Sequence, residues 1–323
     1  MIDVFFYEAF AEEEEALRRY LPKEIRAEYT DRTIQECDHK APPARMISTR
    51  TQSRFPPEWN DSLDAILSRS TGYDHLTAYA AGKSKHPAMG YLPLYCHIAV
   101  AEQAMLLWMA LLRRLPRQMK QFSEFNRDRL TGLECRGRTL VVVGVGNVGN
   151  EICRIGTALG MRVLGVDLRP RFEGIEYESP DAALPQADIV VCAMDLTPTN
   201  RGYFNAACLS KFKRGALFVN VARGELSPSS CLLAAVREGI LRGVALDVFD
   251  HEAELAVALR SGKTSDDAEA RAALELAKLD NVLLTPHNSF NTEEAVERKS
   301  EHSVRQIVAF RQNGRFEWPA PIG

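Results

Sequence analysis

The stretch LVVVGVGNVGNEICRIGTALGMRVLGVDLRP, Leu140 to Pro170, decides how the chain is read. A continuous apolar run, Leu140 to Val143, meets Gly144, Gly146 and Gly149 in the pattern GxGxxG. Alone that pattern is a weak sign, because glycine-rich turns are common. Here Val148, Ile152, Ile155 and Leu159 follow at helical spacing, and a second apolar run ends at Asp167, 18 residues beyond Gly149. This is the layout of a strand, a phosphate-binding turn and a helix whose amino end faces a pyrophosphate. The turn Gly144, Gly146, Asn147, Val148 and Gly149 is the expected phosphate bed. A carboxylate at Asp167 suits the ribose hydroxyls of NAD and repels the extra phosphate of NADP, although Arg169 nearby works against that exclusion.

Around this core, apolar runs at 140–143, 162–166, 189–193, 216–221, 243–248 and 282–284 alternate with helical patterns. Such runs imply a doubly wound parallel sheet covered on both faces, a Rossmann-like α/β domain. The first half repeats the alternation more faintly, with strands expected at 2–6, 26–30, 45–49 and 64–68. A long helix is expected over Ile98–Leu115, closed by Pro116, and another over Glu293–Arg311 that returns the chain to the first domain. At 323 residues two domains are expected, 101–292 binding the nucleotide and 1–100 with 293–323 holding substrate.

Composition narrows the function classes. Lys and Arg number 40 against 43 Asp and Glu, a net charge of −3 without a basic stripe, which speaks against nucleic acid. Seven scattered cysteines without a CxxC pair fit a reducing cytoplasm, and the amino terminus lacks the features of an export signal. The longest apolar stretch, Ala104 to Leu112, is too short to span a bilayer. No metal is expected: Cys37, Asp38 and His39 lack a second ligand pair and read as surface loop. The acidic run Glu12–Glu15 reads as a solvated helix face.

Ligands of an open parallel sheet bind at the carboxyl ends of its strands, where this chain places Thr197, Arg223, Asp247 and His287, with Glu252 just beyond. A guanidinium, a carboxylate and an imidazole suit reduction of a 2-oxo acid. Arginine clamps the substrate carboxylate, and histidine delivers a proton to the oxygen that hydride leaves as alkoxide, while a neighbouring carboxylate favours the imidazolium.

The segments NVARGEL (Asn220–Leu226), ALDVFDHE (Ala245–Glu252) and LLTPHNSF (Leu284–Phe290) resemble the three late motifs of the D-isomer-specific 2-hydroxyacid dehydrogenases, in that family's order. ILSRSTGYDHL (Ile66–Leu76) and HIAVAEQAMLLWMALLRR (His97–Arg114) resemble its substrate-domain turn and crossover helix. The resemblance implies a nucleotide domain inserted into a smaller flavodoxin-like α/β domain, a homodimer formed through the nucleotide domain with Trp108 and Met109 partly in the interface, and NAD as cofactor. It makes His287 the acid/base, Glu252 its partner and Arg223 the substrate-orienting cation. Asp247 and main chain near Val221 would meet the nicotinamide carboxamide, and N–H groups of Ser70, Thr71 and Gly72 the substrate carboxylate. Gln52 and Ser53, in the polar loop 50–53, would face the substrate tail, and Asn291 stands where the lactate-dehydrogenase-type branch often has an aromatic residue. Gln103 and Asp195 depart from the family pattern without removing a reacting group. The family also includes nucleotide-sensing corepressors, which remain the alternative to an enzyme, and within enzymes formate or phosphite oxidation has no motif in its favour.

Overall fold

The computed structural model describes residues 2–262 and 265–322. They form two compact units, one of residues up to Cys96 and from Asn291 onward, the other spanning His97–Phe290.

In the first unit the described strands are β1 (Val4–Phe6), β2 (Ala27–Tyr29), β3 (Met46–Thr49), β4 (Ala65–Ser68) and β5 (Ala88–Gly90). Their order is β2-β1-β3-β4-β5 with every pairing parallel, the flavodoxin-like arrangement. Strand β5 gave no sequence signal: it is three residues long and ends at Gly90, where a Cβ would come within 2.6 Å of the Phe316 ring.

The helices Ala11–Tyr20 and Glu293–Asn313 pack against each other in this unit, and between them lies a buried charge cluster. Glu13, Arg69 and Lys299 are all fully buried. Arg69 donates from Nε to Glu13 Oε1 at 2.8 Å, from Nη1 to the Ser48 hydroxyl at 3.0 Å and from Nη2 to the Tyr7 carbonyl at 2.7 Å. Lys299 Nζ lies 3.0 Å from Glu13 Oε1 and 4.7 Å from the centre of the Phe10 ring. Glu13 thus corrects the reading of Glu12–Glu15 as wholly solvated. Burial pushes its carboxyl up, but Arg69, Lys299 and Arg50 outweigh that and hold it at about 2. Burial draws Lys299 down to about 7, offset only in part by Glu13. The carboxylate's charge is therefore well secured, and the ammonium is the member that burial strains.

The second unit contains β6 (Thr139–Val143), β7 (Arg162–Val166), β8 (Glu176–Tyr177), β9 (Ile189–Cys192), β10 (Ala216–Asn220), β11 (Leu241–Leu246) and β12 (Val282–Leu284). All pairings are parallel, in the order β12-β11-β10-β9-β6-β7-β8. The chain steps one way from β6 to β7 and β8 and the other way through β9 to β12, so β6 and β9 flank the switch point where such sheets take ligands. Registers align Val143, Cys192, Asn220, Leu246 and Leu284 across five neighbouring strands, which sets their carboxyl ends level. The two-residue edge strand β8 is too short to leave a period in the sequence.

Pro116 does not close the crossover helix. That helix runs His97–Leu112, Arg114 turns left-handed at φ 53°, and Pro116 opens the next helix, Leu115–Gln121. A missing N–H is harmless in a first turn. Trp108 is fully buried and belongs to the core of the chain, whereas Ile98 and Leu106 on the same helix are exposed. Among the described residues no helix is long and apolar enough to cross a membrane.

Replacing Glu13 by Gln removes the buried carboxylate that Arg69 and Lys299 share. We expect a loss of about 3–5 kcal/mol in urea unfolding at neutral pH. Because the Glu13 pKa is lowered in the folded chain, its contribution holds above the ordinary value of 4.5 and fades as pH falls towards 2, so the wild-type advantage should shrink on acidification.

Candidate active site

At the end of β6 the three glycines do different work. Gly144 has φ +91°, and a Cβ there would lie 2.5 Å from the Met194 nitrogen. A Cβ on Gly149 would overlap the Gly144 carbonyl, so helix and strand touch there through bare backbone. At Gly146 a Cβ would meet only the Arg171 guanidinium, at 3.6 Å, which leaves that face of the turn open. No side chain caps the Asn147–Ala158 helix, and the N–H groups of Gly146, Asn147 and Val148 have no acceptor among the described residues. Unsatisfied donors at the positive end of a 12-residue helix, beneath an open face, fit a pyrophosphate.

Asp167, one residue past β7, is tied to the same turn. Its Oδ2 accepts from Val145 N–H and its Oδ1 from Arg169 N–H, both at 2.7 Å. Thr197 lies exposed in the loop after β9, its N–H bonded to Asn200 Oδ1 at 2.7 Å. Val221 is buried directly after β10, its N–H reaching the Cys192 carbonyl at 3.4 Å.

Beyond β10, Asn220 shapes the loop that carries Arg223. It is fully buried, donates to the Arg223 carbonyl at 2.9 Å and the Ser227 hydroxyl at 2.7 Å, and accepts from Ala222 N–H at 2.9 Å. Arg223 Nη1 in turn donates to the Ala222 carbonyl at 2.9 Å. The next residue, Gly224, passes so close to the Phe249–Asp250 peptide that any Cβ would overlap it.

Beyond β12, His287 Nδ1 lies 2.9 Å and 3.0 Å from the two carboxylate oxygens of Glu252. Both side chains are about one-third exposed, at 27% and 31%. Held this way, Nδ1 carries its proton towards Glu252, and Nε2, which has no partner among the described residues, is left to give or take a proton. Glu252 stands at the start of the Glu252–Ser261 helix, preceded by His251 in the left-handed region at φ 53°. The His251 ring fixes that turn through Asp267 Oδ2 at 2.6 Å, and this bond first among its causes raises the His251 pKa. Asp267 also caps the Ala268–Leu276 helix. Between these two helices, residues 263 and 264 are outside the described ones.

Asp247 differs from the side chain expected to meet the nicotinamide. It is 1% exposed, with Oδ1 accepting from the Thr285 hydroxyl at 2.5 Å and Asn288 N–H at 2.9 Å, and Oδ2 from Ser289 N–H at 2.8 Å. These bonds bracket His287, whose φ of 52° is unusual for a non-glycine residue. Asp247 is thus the brace of the histidine loop.

In the first unit, the turn Ser70–Gly72 follows β4. The Ser70 hydroxyl bonds the Gly72 carbonyl at 2.7 Å and Ser68 Oγ at 2.6 Å, while Thr71 Oγ1 donates to the Leu92 carbonyl at 3.0 Å. The N–H groups of Thr71 and Gly72 have no acceptor among the described residues. His75, not singled out from the sequence, supports this turn through Ser68 Oγ at 2.9 Å. Ser53 departs from its expected place facing substrate: it is 2% exposed, and its hydroxyl accepts from Ile34 N–H at 3.1 Å. Glu8 holds its loop, accepting from the N–H groups of Gln52 at 3.1 Å and Ser53 at 2.9 Å. The Gln52 and Asn291 side chains are exposed. Glu8 stands two residues past β1, a strand-end position like those of the second unit's site residues.

The pattern of the D-isomer specific 2-hydroxyacid dehydrogenase NAD binding domain matches residues 105–289, more than half of the chain. This chain belongs to the D-isomer-specific 2-hydroxyacid dehydrogenases. The dehydrogenase is 29% identical to D-lactate dehydrogenase of Lactiplantibacillus plantarum over 80% of this chain and 78% of that one. It is 28% identical to an aromatic 2-oxoacid reductase of Clostridium sporogenes over 77% and 76%. The crystal structure of Aquifex aeolicus D-lactate dehydrogenase complexed with NAD and lactic acid superposes with a TM-score of 0.84 at 27% identity, covering 98% of this chain and 99% of that one. The dehydrogenase is an NAD-dependent oxidoreductase that passes hydride between NAD(H) and a 2-oxo acid/2-hydroxy acid pair. The expected two-domain fold, family and cofactor all hold.

Removing the brace should misplace His287 without removing it. For Asp247→Ala we expect kcat to fall about 10²-fold, as positional errors of an ångström do, with far-UV circular dichroism unchanged.

Proposed function

We propose that the dehydrogenase reduces a 2-oxo acid with His287 as proton donor, Glu252 as the group that orients it and Arg223 as the cation that holds the substrate. The observation that carries this reading is the two-oxygen contact of Glu252 with His287 Nδ1, 2.9 Å and 3.0 Å, on a loop braced by Asp247. NAD(H), when bound, supplies or accepts the hydride at the substrate's C2. In reduction, protonated His287 gives its Nε2 proton to the ketone oxygen as the alcohol forms. The resulting neutral imidazole retains its Nδ1 proton, which it donates as a hydrogen bond to Glu252, and in oxidation the same atoms run in reverse. Arg223 pairs with the substrate carboxylate and polarises the carbonyl. Within the first unit, the acceptor-free N–H groups of Thr71 and Gly72 suit a carboxylate.

For the cofactor, Gly146, Asn147 and Val148 would hold the pyrophosphate and Asp167 the adenosine ribose, with Thr197 and Val221 on the nicotinamide side. Lactate and aromatic 2-hydroxy acids bound the product class, since relatives named for both match to a similar degree. Exposed Ile98, Leu106, Met119, Phe122 and Phe125 in the second unit support a homodimer formed through that unit. Seven cysteines without a disulfide support a reducing cytoplasm.

His287→Ala should lower kcat by about 10²- to 10⁴-fold while NADH still binds, read by loss of NADH absorbance with a panel of 2-oxo acids and by NADH fluorescence titration. Unchanged turnover would remove His287 from the mechanism. Asp167→Ala should narrow the preference for NADH over NADPH in kcat/KM; an unaltered ratio would assign the ribose to another group.

A further inference from the structure

The second unit has a cavity at the end of its sheet opposite the catalytic residues. About 290 Å³ in volume, it opens where β10, β11 and β12 begin and is lined by Arg114, Arg117 and Arg242 together with Asp280 and Asn281. Gly243 makes room for it: a Cβ there would lie 2.9 Å from the Asn281 carbonyl and 3.3 Å from Leu111.

The charges in this cavity do not balance. Arg114 donates to the Arg129 carbonyl and Arg117 to Gln121 Oε1, each at 2.7 Å, so both spend donors on neutral oxygens. The Arg242 guanidinium has no acceptor among the described residues, and it stays exposed where a solute can reach it. Asp280, the acidic residue of the lining, is already matched by Lys120 at 3.6 Å. Partial burial lowers the Arg242 pKa, and repulsion from Arg114 and Arg138 lowers it further, the mark of a cation lacking a counter-ion. Three guanidinia thus line the cavity against one carboxylate that Lys120 already pairs, an excess of charge that suits a multiply charged oxyanion.

We propose that this cavity is a binding site for a phosphate dianion, either inorganic phosphate or the phosphate group of a small monoester. It is separate from the catalytic centre. Four residues of β11, Gly243–Leu246, part Arg242 from Asp247, a span of about 16 Å at ~3.3 Å per residue. A ligand there acts on the protein without touching cofactor or substrate.

The test uses the full chain saturated with NADH and oxamate, so that the anion positions of the catalytic centre are filled. Phosphate and chloride are titrated at matched ionic strength, with binding read by calorimetry and by thermal shift. The wild type should bind one phosphate per chain with a rise in Tm that chloride does not give. Arg242→Gln and, separately, Arg117→Gln should weaken phosphate at least tenfold while kcat and KM for the 2-oxo acid stay at wild-type values. Glycerol 3-phosphate in parallel separates the sources: tighter binding than inorganic phosphate assigns the site to monoesters, weaker binding to the free ion. Equal responses to phosphate and chloride, or an undiminished phosphate response in both variants, would overturn the proposal. Neither result bears on the 2-oxo acid chemistry.

Discussion

The buried carboxylate of Asp247 is the constraint on which the reacting end of the second unit depends. Three donors from the segment Thr285–Ser289 converge on it, and the residue they enclose, His287, sits in a backbone conformation that L residues rarely take. A lone loop would relax out of that conformation. With three hydrogen bonds to a charged, water-shielded acceptor, relaxation means stranding the acceptor, which costs more than the strain. Rotation of the imidazole is limited in turn by Glu252, so the position of Nε2 is fixed from both ends of the ring.

The same economy governs the arginine loop. Asn220 satisfies all its amide groups within the turn it starts, and Gly224 lets two strand-end loops pass at a distance no side chain permits. Level strand ends then matter: because Asn220, Leu246 and Leu284 are in register, short loops suffice to carry Arg223, Asp247 and His287 out from neighbouring strands ~4.8 Å apart. The first unit uses charge differently. Glu13, Arg69 and Lys299 join two helices to the strand that leads into the Ser70–Gly72 turn, and a fully buried Arg69 immediately before that turn anchors it from below.

Much of this was legible in the chain. The strands of the second unit announced themselves because burial on both faces demands unbroken Val, Ile and Leu, and the phosphate turn because close backbone approach admits only glycine. Strands β5 and β8 stayed hidden, since two or three residues carry no period. Pro116 misled because proline both ends one helix and starts another, and only the left-handed Arg114 before it decides which. Trp108 and Ser53 showed their side chains' types but not where they point.

By itself the sequence determined the class of fold and the glycine turn after the first nucleotide strand, and singled out Arg223, Glu252 and His287 as candidates, because each rests on a local pattern or on residue chemistry at a strand end. Only the tertiary structure decided that Asp247 braces rather than faces outward, that Glu13 in an acidic run is buried, and that Arg114, Arg117 and Arg242 share one cavity. Those facts depend on which distant segments meet, and a charged side chain reads the same in sequence whether water, a backbone N–H or another charge completes its surroundings.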